Sequence, residues 1–151
     1  MSNGDVDRLL GSCLHLRLVD LAIGPCGMHW CLAPECVETT ARHISRLIVV
    51  QCPLRVTRNR TAVYKSYPTE GDAERLRGLL LESRIDRIGI DPDDNSLRVL
   101  FDEHTLASAF PDPQEEEDAY WWSIHDVTTT PESGFVVYQR GVSPILPSSR
   151  G

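Results

Sequence analysis

The sequence predicts an α+β fold, a mainly antiparallel β-sheet built from hairpins with one or two helices packed on it. Two observations carry this prediction. Short apolar runs, most of them with period two, recur between turns rich in glycine, proline and aspartate, which is typical of hairpin strands. One segment, beginning at Glu70, has leucines at helical spacing behind an acidic first turn, with Leu76, Leu79 and Leu80 on one face.

The first hairpin is expected within residues 14–33. Apolar residues alternate with polar ones from Leu14 to Leu18, and the phase slips at Val19, as it does at a β-bulge. Residues 24–27, Gly-Pro-Cys-Gly, supply the turn. Further strands are expected at residues 46–51, 61–67, 85–90, 97–101, 105–110, 119–124 and 135–139.

A faint internal repeat with a spacing of 67 residues suggests two similar units. The shift aligns apolar residues that precede a proline turn, and a second apolar strand follows each turn. The aligned residues are Leu18, Leu21, Ile23 and Pro25 in the first unit and Ile85, Ile88, Ile90 and Pro92 in the second.

Length and composition favour one folded domain. The chain has 151 residues, of which 41% are hydrophobic, enough to bury a core. We expect a flexible arm at residues 1–12, a domain at 13–142 and a flexible tail at 143–151. No apolar stretch approaches the roughly 20 residues of a membrane span, and acidic residues precede the first apolar run, unlike in a signal peptide. We therefore expect a cytoplasmic protein.

The charge is unevenly distributed along the chain. The net charge is −7, with +3 on residues 1–67 and −10 on residues 68–151. A strongly acidic half repels phosphate backbones, so a basic protein is a more natural partner than nucleic acid. The basic residues of segment 55–60 and Lys65, with Tyr64 as a stacking face, would be the exception. Their alternative role is to solvate an edge strand.

An acidic run stands directly before an aromatic cluster and has the composition of a protein-binding surface. Negative charge speeds the encounter with a basic partner, and aromatic side chains supply contact area. Strand alternation puts Trp121 and Trp122 on opposite faces, so one of them is expected to be exposed; in the alternative, both are packed. The predicted surface consists of Glu115, Glu116, Glu117, Asp118, Tyr120, Trp121 and Trp122.

Two other kinds of site are left open. Cys26, His29, Cys31 and Cys36 carry ligand types that zinc prefers, but they lack the tight paired spacing of structural zinc sites, and small core thiols are the alternative. No other cofactor is indicated. His104 or His125, each near an acid, could serve a small hydrolase, although no nucleophile motif accompanies them.

The second half of the chain resembles a family of small actinomycete-type bacterial proteins of unknown function with duplicated β-hairpin units. The resemblance covers mainly residues 76–140. Glu103 stands where the family's hairpin has a glycine, and residues 26–67 match poorly. The resemblance implies a fold and no activity. The residues that carry it are Leu97, Val99, Phe101, Asp102 and Leu106, followed by the tryptophans and the strand at 134–141.

The sequence shows no recognisable catalytic apparatus. The function we expect is that of a non-enzymatic protein-binding module. Its most specific form, borrowed by analogy from other small acidic bacterial proteins, is an immunity-type inhibitor of a basic toxin. The alternatives are a metal-binding domain and a small hydrolase.

Overall fold

The computed structural model describes residues 3–34, 43–110, 120–129, 132–138 and 141–145. Within these ranges the chain forms eleven strands and two short helices, which confirms the predicted α+β class. The helices are α1 (Asn3–Gly11) and α2 (Ala73–Leu80), the second preceded by a 3₁₀ turn (Glu70–Asp72). The strands are β1 (Arg17–Gly24), β2 (Gly27–Ala33), β3 (Arg46–Val50), β4 (Leu54–Arg58), β5 (Thr61–Ser66), β6 (Ile85–Ile90), β7 (Leu97–Phe101), β8 (Thr105–Ala109), β9 (Tyr120–Asp126), β10 (Ser133–Tyr138) and β11 (Gly141–Pro144).

The strands form two antiparallel sheets packed around a shared core. Sheet A has the order β1-β2-β3-β9-β10-β11 and sheet B the order β5-β4-β8-β7-β6. Alternate apolar side chains of both sheets belong to one buried cluster. Trp30 of sheet A meets Phe101 of sheet B edge to face, with ring centroids 5.7 Å apart. The indole N–H of Trp122 donates to the Asn95 carbonyl, in the turn that joins β6 to β7 in sheet B, at 2.9 Å.

The 67-residue repeat is present in the backbone of two hairpins. β1 pairs with β2, and β6 pairs with β7. In each first strand the register shifts by one residue, after Leu18 in β1 and after Ile85 in β6. The extra residues, Val19 and Asp86, are themselves 67 positions apart. The bulge expected at Val19 is therefore confirmed, and it recurs at the equivalent position of the second unit.

The two units face each other across an approximate two-fold axis. Arg17 and Arg84, equivalent residues, form an isolated antiparallel bridge with one another. Two backbone hydrogen bonds flank this bridge. They are related by the same symmetry, because exchanging the two units converts each hydrogen bond into the other. They run from the Leu18 N–H to the Ser83 carbonyl at 3.0 Å and from the Ile85 N–H to the Leu16 carbonyl at 2.9 Å.

The same symmetry accounts for the order of strands in the sheets. Each unit builds a three-stranded meander in one sheet and sends its next two strands into the other sheet. β9 and β10 thus join β3, while β4 and β5 join β8. Replacing every strand by its equivalent turns β1-β2-β3-β9-β10 into β6-β7-β8-β4-β5, the order of sheet B. The exchange of strands ties the two units into one core.

The flexible arm predicted at residues 1–12 is wrong, because Asn3–Gly11 forms α1. Val6 and Leu10 are buried, together with Cys13 in the following turn. These residues recur at helical spacing. The prediction missed this spacing because the segment is otherwise polar. α1 packs near β6 of the other unit, just as α2 packs near β1.

Two further boundaries differ from expectation. The tail predicted at residues 143–151 is wrong at its start, because β11 reaches Pro144 and pairs with Phe135 of β10. The remainder from residue 146 lies outside the described residues. The basic segment at residues 55–60, for which an edge strand was the alternative, forms β4 between β5 and β8. Lys65, the further cation of the same prediction, does lie on an edge strand, β5.

Candidate functional site

Trp121 and Trp122, the predicted aromatic anchors, are both buried in β9. Their exposed fractions are 4% and 0%, so the interpretation in which one of them faces solvent is wrong and the alternative, in which both are packed, is confirmed. The cause is a β-bulge. Trp122 pairs with Val137 and Tyr120 pairs with Tyr138, which leaves Trp121 without a partner in β10. A bulge interrupts the alternation of faces, and both indoles belong to the core cluster.

The other predicted contact residues at this surface lie outside the described residues. This holds for the acidic run at residues 115–118 and for the side chain of Tyr120. The role of the acidic run therefore stays a prediction. Buried indoles offer a partner no contact area, so Trp121 and Trp122 do not anchor a complex in this conformation.

The four residues considered for zinc are separated in part. Cys26 is exposed in the turn between β1 and β2, whereas His29 and Cys31 are half-buried alternate residues of β2. Burial and the nearby Asp20 carboxylate raise the pKa of Cys31, which opposes the thiolate that zinc requires. Cys36 lies outside the described residues. Within the part of the chain that the structure describes, no three potential ligands are grouped, and the zinc site stays a prediction.

His125 lies beside Ser123 on β9 in an arrangement that superficially resembles a nucleophilic triad. Its Nε2 is 2.8 Å from Ser123 Oγ, and its Nδ1 is 2.7 Å from Glu132 Oε1, without the geometry of a hydrogen bond. Ser123 is only 2% exposed and its strand is paired on both sides. Substrate access and free backbone donors for an oxyanion are therefore lacking at Ser123. His104 lies apart, in the turn between β7 and β8 of the other sheet.

Tyr64, the aromatic residue expected to stack on nucleic-acid bases, points into the protein. It is 6% exposed, and its hydroxyl donates to Asp72 Oδ2 at 2.8 Å. The Arg75 guanidinium lies over the ring at 5.8 Å. Burial and the bond to Asp72 raise the pKa of Tyr64 to about 12. The predicted stacking role of Tyr64 is therefore wrong.

Two residues of the basic hairpin instead belong to a row that crosses the outer face of sheet B. Strand pairing aligns one residue from each of the five strands. Their sequence neighbours in β4, β7 and β8 are buried, so the row faces away from the core. From β5 to β6 the row reads Lys65, Arg55, Ser108, Arg98 and Gly89.

A second row lies beside the first on the same face. It places the half-buried Leu106 and Leu100 at the centre, between Thr57 of β4 and the exposed Arg87 of β6. We call these two rows the basic face. Five strands about 4.8 Å apart give it a width of about 19 Å. Its cations are Lys65, Arg55, Arg98 and Arg87, and its central residues are Ser108, Thr57, Leu100 and Leu106.

The cations of the basic face are only partly neutralised by acidic residues of the protein. Lys65 and Arg55 are directly cross-strand partners, and like charges in that position are destabilising. Arg98 forms an ion pair with Asp91 at the end of β6, with 2.9 Å between Nη2 and Oδ2. All members of both rows are described, and none of them is an acid. The face thus carries net positive charge on a protein whose net charge is −7.

Sequence reasoning missed this surface, although its signal was present. Arg98 and Leu100 occupy the polar phase of a strand that was correctly predicted. Alternation shows that they share a face, but it does not show which strands lie beside them. Arg55 and Arg98 become neighbours on one face only through the pairing of β4 and β7 with β8.

Comparison with known proteins provides no assignment. No known protein family, curated protein or solved structure matches the chain. The resemblance to the actinomycete-type family therefore stays a prediction. Among the described helices, none is long and apolar enough to cross a lipid bilayer.

Proposed function

We propose that this protein is a non-enzymatic protein-binding module that docks an acidic partner on the basic face. The observation that supports the proposal best is the row of exposed cations across a sheet face that no described element covers, in a protein that is acidic as a whole. Neither α1 nor α2 packs on this face. Complementary charge on a partner would relieve the repulsion between Lys65 and Arg55 and would speed association.

The layout of the face favours a protein over a nucleic acid. Leu100 and Leu106 form an aliphatic centre that charged side chains surround, which is the usual anatomy of a protein interface. Arginine is also a frequent energetic centre of such interfaces. Single-stranded nucleic acid is instead held by aromatic platforms, and neither row contains an aromatic residue.

Our proposal changes the partner that the sequence suggested. A basic toxin would dock on the acidic run at residues 115–118, without the two indoles as anchors. An acidic partner fits the basic face. Inhibition of a toxin is one form that the proposed function takes, and an acidic surface on the toxin is then what this face would cover.

Charge reversal of the basic face, with a matched control, tests the proposal. Arg55→Glu with Arg98→Glu should abolish the capture of acidic proteins from an extract of the encoding cell. Two changes outside the face, Arg60→Glu and Arg8→Glu, alter the net charge equally and should leave capture intact. A captured protein would then be purified, and its association rate with the reversed variant should fall at least about tenfold at low salt.

The proposal makes a second, independent prediction about stability. Lys65→Glu places opposite charges across from each other and should stabilise the protein by about 0.2–1 kcal/mol, while weakening the complex. A gain in stability with a loss of binding is expected of a surface kept for function. Equal binding by the wild type and the Arg55/Arg98 variant, or loss of all captured material on nuclease treatment, would refute the proposed function.

A further inference from the structure

A cleft of about 460 Å³ opens between α1 and the end of sheet A. Arg46 of β3 and Asp126 of β9 lie at its base, and Leu9, Phe135 and Ile145 supply apolar walls. The volume falls in the range of small-molecule sites, and apolar walls with a few polar groups are their usual composition. The cleft lies at the end of the sandwich and is distinct from the basic face of sheet B.

The polar base of the cleft is held rigidly. Arg46 Nη1 lies 3.1 Å from Asp126 Oδ1 and donates to the Ser45 carbonyl at 2.7 Å, while its Nε donates to Ser12 Oγ at 2.9 Å. Asp126 Oδ1 also accepts from the amide N–H of Thr128 at 2.9 Å. The Arg46 and Asp126 side chains are only 16% and 17% exposed, so their positions are fixed before any ligand arrives.

Each member of the ion pair keeps one polar atom uncommitted. In the described part of the chain, neither Nη2 of Arg46 nor Oδ2 of Asp126 has a hydrogen-bond partner. Neither atom is among the buried side-chain atoms that lack a hydrogen-bond partner in the described residues, so both keep some solvent exposure. The cleft lining therefore offers one donor group, on Arg46, and one acceptor, on Asp126, from two side chains of opposite charge that contact each other.

The second unit of the repeat lacks this arrangement. The strand pair β3–β9 corresponds to β8–β4, so the Arg46–Asp126 pair corresponds to Thr105–Arg58. There, Arg58 donates from Nε to Thr105 Oγ1 at 3.2 Å and from Nη2 to the Leu79 carbonyl at 2.9 Å. Two of the three guanidinium nitrogens of Arg58 are thus bonded within the protein, as two are in Arg46, but no acid pairs with Arg58 among the described residues. An ion pair with an unbonded donor and an unbonded acceptor therefore occurs in only one of the two units, although the backbone is duplicated.

We infer that this cleft binds a small neutral molecule that presents a hydrogen-bond donor next to an acceptor, the edge of an amide or a lactam. The carbonyl of such a ligand accepts from Arg46 Nη2, and its N–H donates to Asp126 Oδ2. The planar remainder packs against the half-buried Leu9 and Ile145. An anion would be repelled by Asp126 and a cation by Arg46. The other two charged lining residues, Asp5 and Arg8, pair with each other at 3.6 Å, so charge balance selects a neutral ligand.

Four probes of nearly equal shape test this inference. Benzamide offers both functions, acetophenone only an acceptor, benzoate a negative charge and benzamidine a positive one. In ¹H–¹⁵N NMR titrations, benzamide should shift the amide signals of Ser12 and Gly134 with a Kd of the order of 1 mM, as expected for a fragment. The other three should bind at least about fivefold more weakly.

Two variants are expected to shift the ligand preference in opposite directions. Asp126→Asn keeps the size of the side chain and an oxygen for Thr128, and it should shift the preference from benzamide to benzoate by about tenfold or more. Arg46→Gln should shift it toward benzamidine. Retained signal dispersion in the NMR spectra serves as the folding control.

Three outcomes would overturn the inference. The first is the absence of saturable benzamide shifts, up to about 10 mM, in the folded wild type. The second is equal binding of all four probes, which would mean an apolar crevice without polar recognition. The third is an unchanged preference in both variants. None of these results depends on the basic face, so the proposed protein-binding function stands or falls separately.

Discussion

A series of glycine substitutions separates the energetic cost of backbone strain from that of a steric clash at the β9–β10–β11 edge of sheet A. Gly134 has φ of +151°, and a Cβ built there would lie 2.1 Å from the Ile124 carbonyl oxygen and 3.0 Å from His125 Cα. Gly141 has a similar φ of +147°, but a Cβ there would meet nothing within 4 Å. At Gly89 a Cβ also has open space. The three sites thus combine strain with a clash, strain alone, and neither.

The expected changes in the free energy of unfolding follow from these geometries. Gly141→Ala should cost about 1–2 kcal/mol, because an L-residue is forced into a sparsely populated backbone region. Gly134→Ala should cost about 3 kcal/mol or more, since β10 must also move away from the backbone of β9. Gly89→Ala should stabilise the strand by about 0.5–1 kcal/mol.

Urea unfolding of the three variants, with calorimetry, measures these differences. For a chain of this length we expect Gly134→Ala to lower the Tm by about 6–12 °C, at roughly 2–4 °C per kcal/mol. A loss for Gly134→Ala no larger than that for Gly141→Ala would refute the reasoning, because the close approach of β9 and β10 would then carry no energy.

Three further predictions concern a turn, the thiols and the response to acid. Arg60→Gly should stabilise the protein by about 0.5–1 kcal/mol, since Asn59 and Arg60 of the β4–β5 turn have φ of 50° and 70°, where glycine is preferred; an unchanged urea midpoint would contradict this. Burial raises the pKa of Cys13 and Cys52 to about 12, so iodoacetamide at pH 8 should label the exposed Cys26 in the folded protein and label these two only after unfolding, as mass spectrometry would show. Burial tends to raise the pKa of Asp126, but hydrogen bonds from Thr128 and the charge of Arg46 outweigh it and hold that pKa below its usual range. The resulting stabilisation is therefore complete above the ordinary aspartate pKa of about 3.9 and is lost as the pH falls through the lowered value. Thr128→Val should reduce stability at pH 7 and converge on the wild type in acid; a constant difference across that range would count against this account.

Local features of the fold could be predicted from the sequence because they depend on interactions between residues that are close together in the chain. Period-two alternation and turn residues predicted the hairpins β1–β2 and β6–β7, the slip at Val19 predicted a bulge, and leucine spacing predicted α2. The 67-residue repeat was visible because equivalent core positions need similar apolar side chains. The helix α1 was missed because a short, polar, glycine-containing segment gives only a weak periodic signal.

The candidate sites depend on contacts that no local pattern contains. Strand alternation assigned Trp121 and Trp122 to opposite faces, but a bulge set by pairing with β10 put both in the core. The basic face required β4 and β7 to flank β8, and the cleft required Arg46 to meet Asp126, 80 positions away in the chain.

The sequence by itself therefore determined α2, most of the strands and, away from bulges, which side of each is apolar, because these depend on neighbours a few residues apart. Only the tertiary structure decided which strands are adjacent beyond the predicted hairpins. Two equivalent units exchange their last strands, and the choice between pairing within a unit and across units depends on how the whole core packs. Charges that are distant in the sequence, such as those of Arg55 and Arg98, become one surface only after that choice is made.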